Sequence, residues 1–261
     1  MAKPLFQKLE EGMREKDVLA AAGQFAYLML TCGAETGRVE SSIDYVGRAL
    51  GIPIICHVTM TSILLVNQDS GRSYVVKVPR YQVDLQMVHD LNHLSRQLVQ
   101  GQVDFEGFQM EVERLSQGVP HFPLWQQYLG AGFVSMAPNL VELAPLSDFL
   151  LTFFLGIFAH FLNREASRFM VPPYLAVGLS AFVVAFLTNG FYHLGWGQTF
   201  EVLLISSLMP LVPGVALTNS LRELLGGHTI SGLVRAVNAL LIAASIGGGV
   251  MMANLLFKAL V

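Results

Sequence analysis

Apolar residues recur at helical spacing from the start of the chain: Val18, Ala22, Phe25, Met29 and Cys32 fall on one face. That spacing predicts a buried amphipathic helix over 17–35 with Asp17 as its N-cap. Gly33 marks a break, a second helix runs over 36–50, and Gly51 and then Pro53 end it. Three short apolar runs follow at 54–59, 62–67 and 73–78. The turn Asn67-Gln68-Asp69-Ser70-Gly71 makes a hairpin of the last two. Periods of three to four return over 83–100 and 104–116. In the first of these, Leu85, Val88, Leu91 and Leu98 face inward, and His89 and His93 lie on the polar side. The order ααβββαα describes an α+β domain.

Beyond residue 118 the periodicity gives way to continuous apolar runs. A spanning helix needs about 20 such residues. Segments 171–192 and 236–257 meet this without a charge, and 199–221 holds only Glu201. Segment 124–141 is uncharged but includes Gln126, Gln127 and Asn139. The run around 147–163 is the weakest and contains His160. The expectation is therefore a domain over 1–118, with the division near Gly118-Val119-Pro120, and a transmembrane all-α bundle of about five helices over 119–261.

Composition agrees. Of 261 residues, 53% are hydrophobic and 13% charged, about half the charged share of a typical globular chain. Residues 1–118 hold 25 of the Lys, Arg, Asp and Glu side chains and 119–261 hold 10. A net charge of -3 without a basic stripe argues against nucleic-acid binding. Two cysteines, Cys32 and Cys56, exclude a disulfide scaffold. Glu10, Glu11, Glu15 and Asp17 are wrong for the positive start of a signal peptide. Arg114, Arg164, Arg168, Arg222 and Arg235 all flank spans on one side, so the first domain is expected to be cytoplasmic and the protein to sit in the inner membrane.

Several residue groups invite a chemical reading. Glu35 and Arg38 are three apart, and with Gly33 and Glu40 they could bind a carboxylate or gate a path; an ordinary helix-start ion pair uses the same spacing. His89 and His93 stand at metal-binding spacing, but no third ligand is evident. No GxSxG surrounds a serine and no P-loop occurs, so nothing localises hydrolysis or ATP binding. In the run 209–214, Pro210 and Pro213 each remove an N–H, which would free the carbonyls of Ser206 and Met209. Such backbone is tolerated in a membrane only where protein or a wet cavity covers it. Gly214 then lets a half-helix begin, and its N-terminus favours a carboxylate. Ser206, Ser207 and Asn219 supply nearby polar groups; a proline-kinked structural helix is the plainer alternative. Ala239, Ala243 and Gly247 mark a close-packing face on the last span. Glu142, Asp148 and Glu201 flank spans and could be pathway acids, or simply exposed loop ends.

The stretches Gly33-Ala34-Glu35-Thr36, Arg38-Val39-Glu40 and Arg48-Ala49-Leu50-Gly51 resemble the N-terminal signature of the threonine/serine exporter family. Pro210-Leu211-Val212-Pro213-Gly214, Asn219-Ser220-Leu221-Arg222-Glu223-Leu224 and Gly227-His228-Thr229-Ile230-Ser231-Gly232-Leu233 resemble its membrane signature. The family's usual glycine pair before an aspartate is replaced here by the run 139–147, leaving Asp148 alone. The resemblance implies a cytoplasmic domain followed by about five spans. At this length it implies the larger subunit of a two-component exporter whose partner is a small four-span membrane protein, with a homo-oligomer left open. The cargo implied is a small carboxylate-bearing metabolite, threonine, serine or succinate, with no cofactor and no metal. In that reading Ser206, Ser207, Pro210, Pro213, Gly214 and Asn219 line the path, Gly33, Glu35, Arg38 and Glu40 form a cytoplasmic gate, and His160, Glu201 or Asp148 couples transport to protons. A membrane-anchored hydrolase and a non-transporting sensor or scaffold are the alternatives.

Overall fold

The computed structural model describes residues 5–78, 83–118 and 122–261, with side chains from residue 14. Val119 and Pro120, where the sequence places its division, lie outside the described residues. The chain forms two compact units: Met1–His121 with Thr218–Arg235, and Phe122–Leu217 with Ala236–Val261.

The first unit holds α1 (Leu5–Thr31), α2 (Thr36–Ala49), β1 (Ile54–Val58), β2 (Ser62–Asn67), β3 (Ser73–Lys77), α3 (Leu85–Val99) and α4 (Phe105–Ser116). The order matches the expected ααβββαα. The strands form an antiparallel meander β1-β2-β3. Its core is built around α1, whose Val18, Ala22, Phe25 and Met29 are buried, as the spacing predicts. Cys32 lies just past the helix and is half-buried. Phe25 meets Phe108 of α4 at 5.5 Å between ring centroids. Gly23 sits against Tyr74 so closely that a Cβ would lie 2.6 Å from its ring; a larger residue would lift α1 off β3.

Two expectations need correction. Asp17 does not cap α1, which already includes Leu5, because 5–16 is rich in strong helix formers. Leu85 is exposed, because it is the first residue of α3 and lies outside the packed stripe of Met87, Val88, Leu91, Leu94 and Leu98. Asp84 and Asp104 cap α3 and α4 by accepting from the N–H groups of Met87 and Gly107, which satisfies donors the helices leave unpaired.

The second unit holds α5 (Leu124–Val141), α6 (Leu146–Arg168), α7 (Pro173–His193), α8 (Phe200–Leu208) and a 3-10 turn, Met209–Leu211. Two further helices, α9 (Gly214–Leu225) and α10 (Thr229–Leu260), each begin in one unit and end in the other. α7 is central, burying Ala176, Ser180, Ala181, Val184, Ala185 and Thr188. Small residues set its contact with α10: a Cβ on Gly249 would overlap the Gly178 carbonyl oxygen. Asn189 donates to Asn254 at 2.7 Å and Tyr174 to Asn238 at 2.8 Å along the same pair. The face that packs is thus Ser245 and Gly249, whereas Ala243 and Gly247 of the expected face are exposed.

By length and composition α6, α7 and α10 can cross a membrane, and α8 with α9 makes a fourth if the bent pair is one span. The axis turns by 73° at that break. α5, with Gln126, Gln127 and Asn139 in its 18 residues, falls short of the same test.

Candidate functional site

The N-terminal signature and the 219–233 part of the membrane signature meet in the first unit. Gly33 has φ +97° and closes α1: its N–H bonds the Leu30 carbonyl, and the Ala34 N–H reaches back to Met29. This is a left-handed C-terminal cap that favours glycine. Gly227, at φ +85°, ends α9 the same way through Gly227 to Leu224 and His228 to Glu223. Gly232 then passes the backbone of α9 so closely that a Cβ would lie 2.9 Å from the Leu224 nitrogen. This tight reversal brings Glu223 of α9 to Arg235 of α10.

Glu223 and Arg235 are 2% and 1% exposed. Arg235 Nε donates to both carboxylate oxygens at 3.1 Å, and its Nη2 donates to the Ala34 carbonyl at 2.7 Å. The Thr36 N–H donates to Glu223 Oε1 at 2.9 Å. Glu35 precedes α2 without capping it; Glu223 does so from 187 residues away, placing negative charge at the positive end of the helix. Asn219 donates to the Gly33 carbonyl at 3.0 Å. Arg222 pairs with Glu35.

Glu35 therefore pairs with Arg222 and not with Arg38, which is exposed and makes no ion pair among the described residues. The i,i+3 spacing permits a pair, but the arginine on α9 competes successfully for the carboxylate. Glu40 accepts from the Val58 N–H at 2.8 Å and lies 3.7 and 3.8 Å from His57 Nδ1 and His228 Nε2. His89 and His93 are exposed, and no group of three metal-binding side chains occurs among the described residues. Cys56 is held inert: burial, and then the nearby Glu40 charge, push its thiol up to about 12. Burial also raises Cys32.

In the second unit the break has a different backbone from the one the prolines suggest. The carbonyls of Ser206 and Met209 are not left free. Met209 N–H bonds Ser206 and Val212 N–H bonds Met209, because a 3-10 turn replaces each lost bond with one from three residues on. The Gly214 N–H bonds the Val212 carbonyl at 2.9 Å. Ser206 is fully buried and donates to Asn139 Oδ1 at 3.2 Å. Asn139 Nδ2 donates to Thr152 at 2.6 Å, and Thr152 to the Asp148 carbonyl at 2.8 Å. Ser207 bonds back to Leu203 at 2.7 Å.

Among the flanking acids, Glu142 and Glu201 are exposed. Asp148 is the exception, at 1% exposure; Ser147 Oγ donates to Oδ1 and the Gln198 N–H to Oδ2. It is buried because the loop at Gly197 folds over the start of α6, with Gly197 at φ +109°. His160 stands edge-on to Tyr128 at 5.6 Å.

The structure thus brings Gly33, Glu35 and Asn219 together and, apart from them, joins Ser206 to the Asn139–Thr152 chain. Glu223 and Arg235 are the residues that sequence reasoning missed. Their only signal was position: Glu223 falls inside a signature stretch and Arg235 just after one.

Known proteins are similar to this sequence over most of its length. A family model described as "Putative threonine/serine exporter" matches residues 20–257. The "Probable succinate transporter subunit YjjP" of Klebsiella aerogenes is 24% identical over 234 residues, 87% of this chain and 90% of that protein. The same-named protein of Escherichia coli strain K12 gives the same figures. The "Probable threonine/serine exporter" of Mycobacterium tuberculosis is 22% identical over 247 residues, 92% of this chain but 46% of that protein. No solved structure matches the chain. A match over nearly the whole length, with apolar helices able to cross a membrane, shows that the chain is a membrane protein belonging to the threonine/serine exporter family, a family of transporters and not of enzymes.

Proposed function

We propose that the chain is the larger subunit of a two-component exporter that moves a small carboxylate-bearing metabolite out of the cell by secondary transport. The observation that carries this reading is the broken helix α8/α9, whose buried Ser206 joins a polar chain inside an apolar bundle. Such uncharged groups can join helices, but this polar chain ends at Asp148, and an ionisable residue buried among spanning helices marks a pathway by default. The same chain matches the exporter family over 20–257, and two similar proteins are named as succinate transporter subunits.

In this reading α5 completes five spans, and the first unit is cytoplasmic, in keeping with the Arg residues flanking the spans on its side. Pro210, Pro213 and Gly214 shape the break, and Ser206, Ser207 and Asn219 line the path. Gly33, Glu35, Arg38 and Glu40 gate its inner mouth. Asp148 is the foremost coupling acid because it alone of the flanking acids is buried, with His160 and Glu201 the other candidates. A small four-span membrane protein covers the exposed Ala243 and Gly247 face of α10. The apolar groove of about 520 Å³ lined by Gly178, Phe182, Ser245 and Gly248 adds surface for such a helix.

Efflux from inner-membrane vesicles or cells preloaded with labelled threonine, serine and succinate tests this. The chain is expressed alone and with a small four-span membrane protein of the same family. Efflux of one cargo only with both chains is the expected result. No efflux of any carboxylate, despite verified insertion of both, would overturn the proposal.

A further inference from the structure

His160 and Arg164 lie four residues apart on α6, so their side chains share one face. His160 Nε2 and Arg164 Nη1 are both shielded from solvent, and neither has a hydrogen-bond partner among the described residues. Folded proteins leave few buried donors unpaired, and a shielded N–H of a cation without a partner is costly. No acid on the same helix relieves it. Glu165, the next residue, is taken by Arg168 at 3.0 Å, and Asp148 is bonded to Ser147 and Gln198. The imidazole is held in place by the ring of Tyr128 on α5.

Two unpaired nitrogens on one helix face, one of them on a permanent cation, suit a planar anion. The guanidinium fork matches a carboxylate in particular. A neutral imidazole can donate through Nε2 in one of its tautomers, and the imidazolium always does. The location is also telling. On the same stretch of α6, Ala159 and Leu162 lie on a different face from His160 and Arg164 and pack in one cluster with Leu208 and Leu211 of the break, and the 3-10 turn rests on both α5 and α6. A change in the break would therefore be felt on this part of α6.

We infer that His160 and Arg164 form a carboxylate-binding subsite on α6 that takes one carboxylate of the transported metabolite. The inference rests on the exporter reading above; it gives His160, there a coupling candidate, a binding role, and adds Arg164, to which neither the signatures nor the broken helix points. A lipid phosphate would satisfy the same donors, and binding measured without lipid separates the two.

The test is binding of labelled succinate, threonine and serine to the purified full chain in lipid-free detergent, with the uncharged diamide of succinate as a control. The wild type should bind one of the acids and not the diamide. Arg164→Gln should weaken acid binding on the order of 10- to 100-fold, the range for one charge-assisted hydrogen bond. Arg164→Lys should recover part of this, and His160→Asn should give a smaller loss. Arg114→Gln, which disturbs only the exposed pair with Glu111 on α4, should bind as the wild type does. If Arg164→Gln does not fold, the affinities of Arg164→Lys and His160→Asn decide the question in its place.

Unchanged acid affinity in folded Arg164 and His160 variants, beside a wild type that binds and exports acid, would overturn the subsite and leave the exporter reading intact. So would variant effects that appear only when phosphatidylglycerol is added, which would mark a headgroup site. Failure of the wild type to bind or export any carboxylate would sink both.

Discussion

Removing Arg235 is the sharpest test of how the signature stretches are held together. Arg235→Met keeps most of the side-chain volume and deletes the charge. It leaves the Glu223 carboxylate buried at 2% exposure with the Thr36 N–H but without its guanidinium. Breaking a buried ion pair from one side costs about 3–5 kcal/mol. The Ala34 carbonyl also loses the 2.7 Å bond from Nη2, about 1 kcal/mol more. At roughly 2–4 °C per kcal/mol for a unit of this size, the first unit should melt on the order of 10–20 °C lower.

The assay is differential scanning fluorimetry of the full chain in detergent. The matched variant Glu223→Leu with Arg235→Met removes both charges and should regain most of the loss, because the desolvation cost disappears with the pair. Glu223→Gln keeps an acceptor for the Thr36 N–H and should fall between. A melting point for Arg235→Met within about 2 °C of wild type would refute the reasoning on this scale. So would a double variant no better than the single.

Four further outcomes are expected. Glu15 is held below the ordinary glutamate range by the Ser70 hydroxyl first, then Asn67 and Arg72, against an opposing desolvation. Its contribution to stability is therefore present above the unfolded value near 4.5 and lost as pH falls through the lower folded value; Glu15→Gln should flatten acid melting curves in that window. Neither cysteine should react quickly with iodoacetamide at about pH 7.5, near which an unperturbed thiol already ionises in part, since Cys56 is pushed up to about 12 and Cys32 is also raised; rapid labelling would contradict the burial. Gly249→Ala, whose Cβ would overlap the Gly178 oxygen, should cost about 1–3 kcal/mol in thermal melts, whereas Gly247→Ala, with nothing within 4 Å, should cost nothing measurable. Pro213→Leu should abolish export while the protein still inserts; unaltered efflux would show that the break has no transport role.

Much of the fold is legible because it is local. The periodicity around Phe25, the alternation in β2, and the glycines at 33, 51 and 71 each act within a few residues, where side-chain spacing and backbone freedom decide the outcome. β2 falls at Ser62–Asn67 and α5 at Leu124–Val141, as the pattern predicts. The weak apolar run at 147–163 becomes the 23-residue helix Leu146–Arg168 because its polar ends continue the helix, which hydropathy alone does not register. The break at Met209–Gly214 was legible from its prolines, but its hydrogen bonding was not. A missing donor says which bond is lost; the chain's own tightening into a 3-10 turn decides which replaces it.

The site was less legible because its partners are distant. Amino-acid sequence alone determined that an α+β segment precedes a run of apolar helices, and that two signature stretches mark an exporter family. Only the tertiary structure decided that Glu223 caps α2, that Arg222 and not Arg38 pairs with Glu35, that Asp148 is buried, and that His160 and Arg164 keep unpaired nitrogens. Helical and strand periods report which face a residue occupies, since that depends on near neighbours. Which charge answers another across 187 residues depends on how the helices return on each other, and that is fixed by packing and by desolvation, to which no local pattern is sensitive.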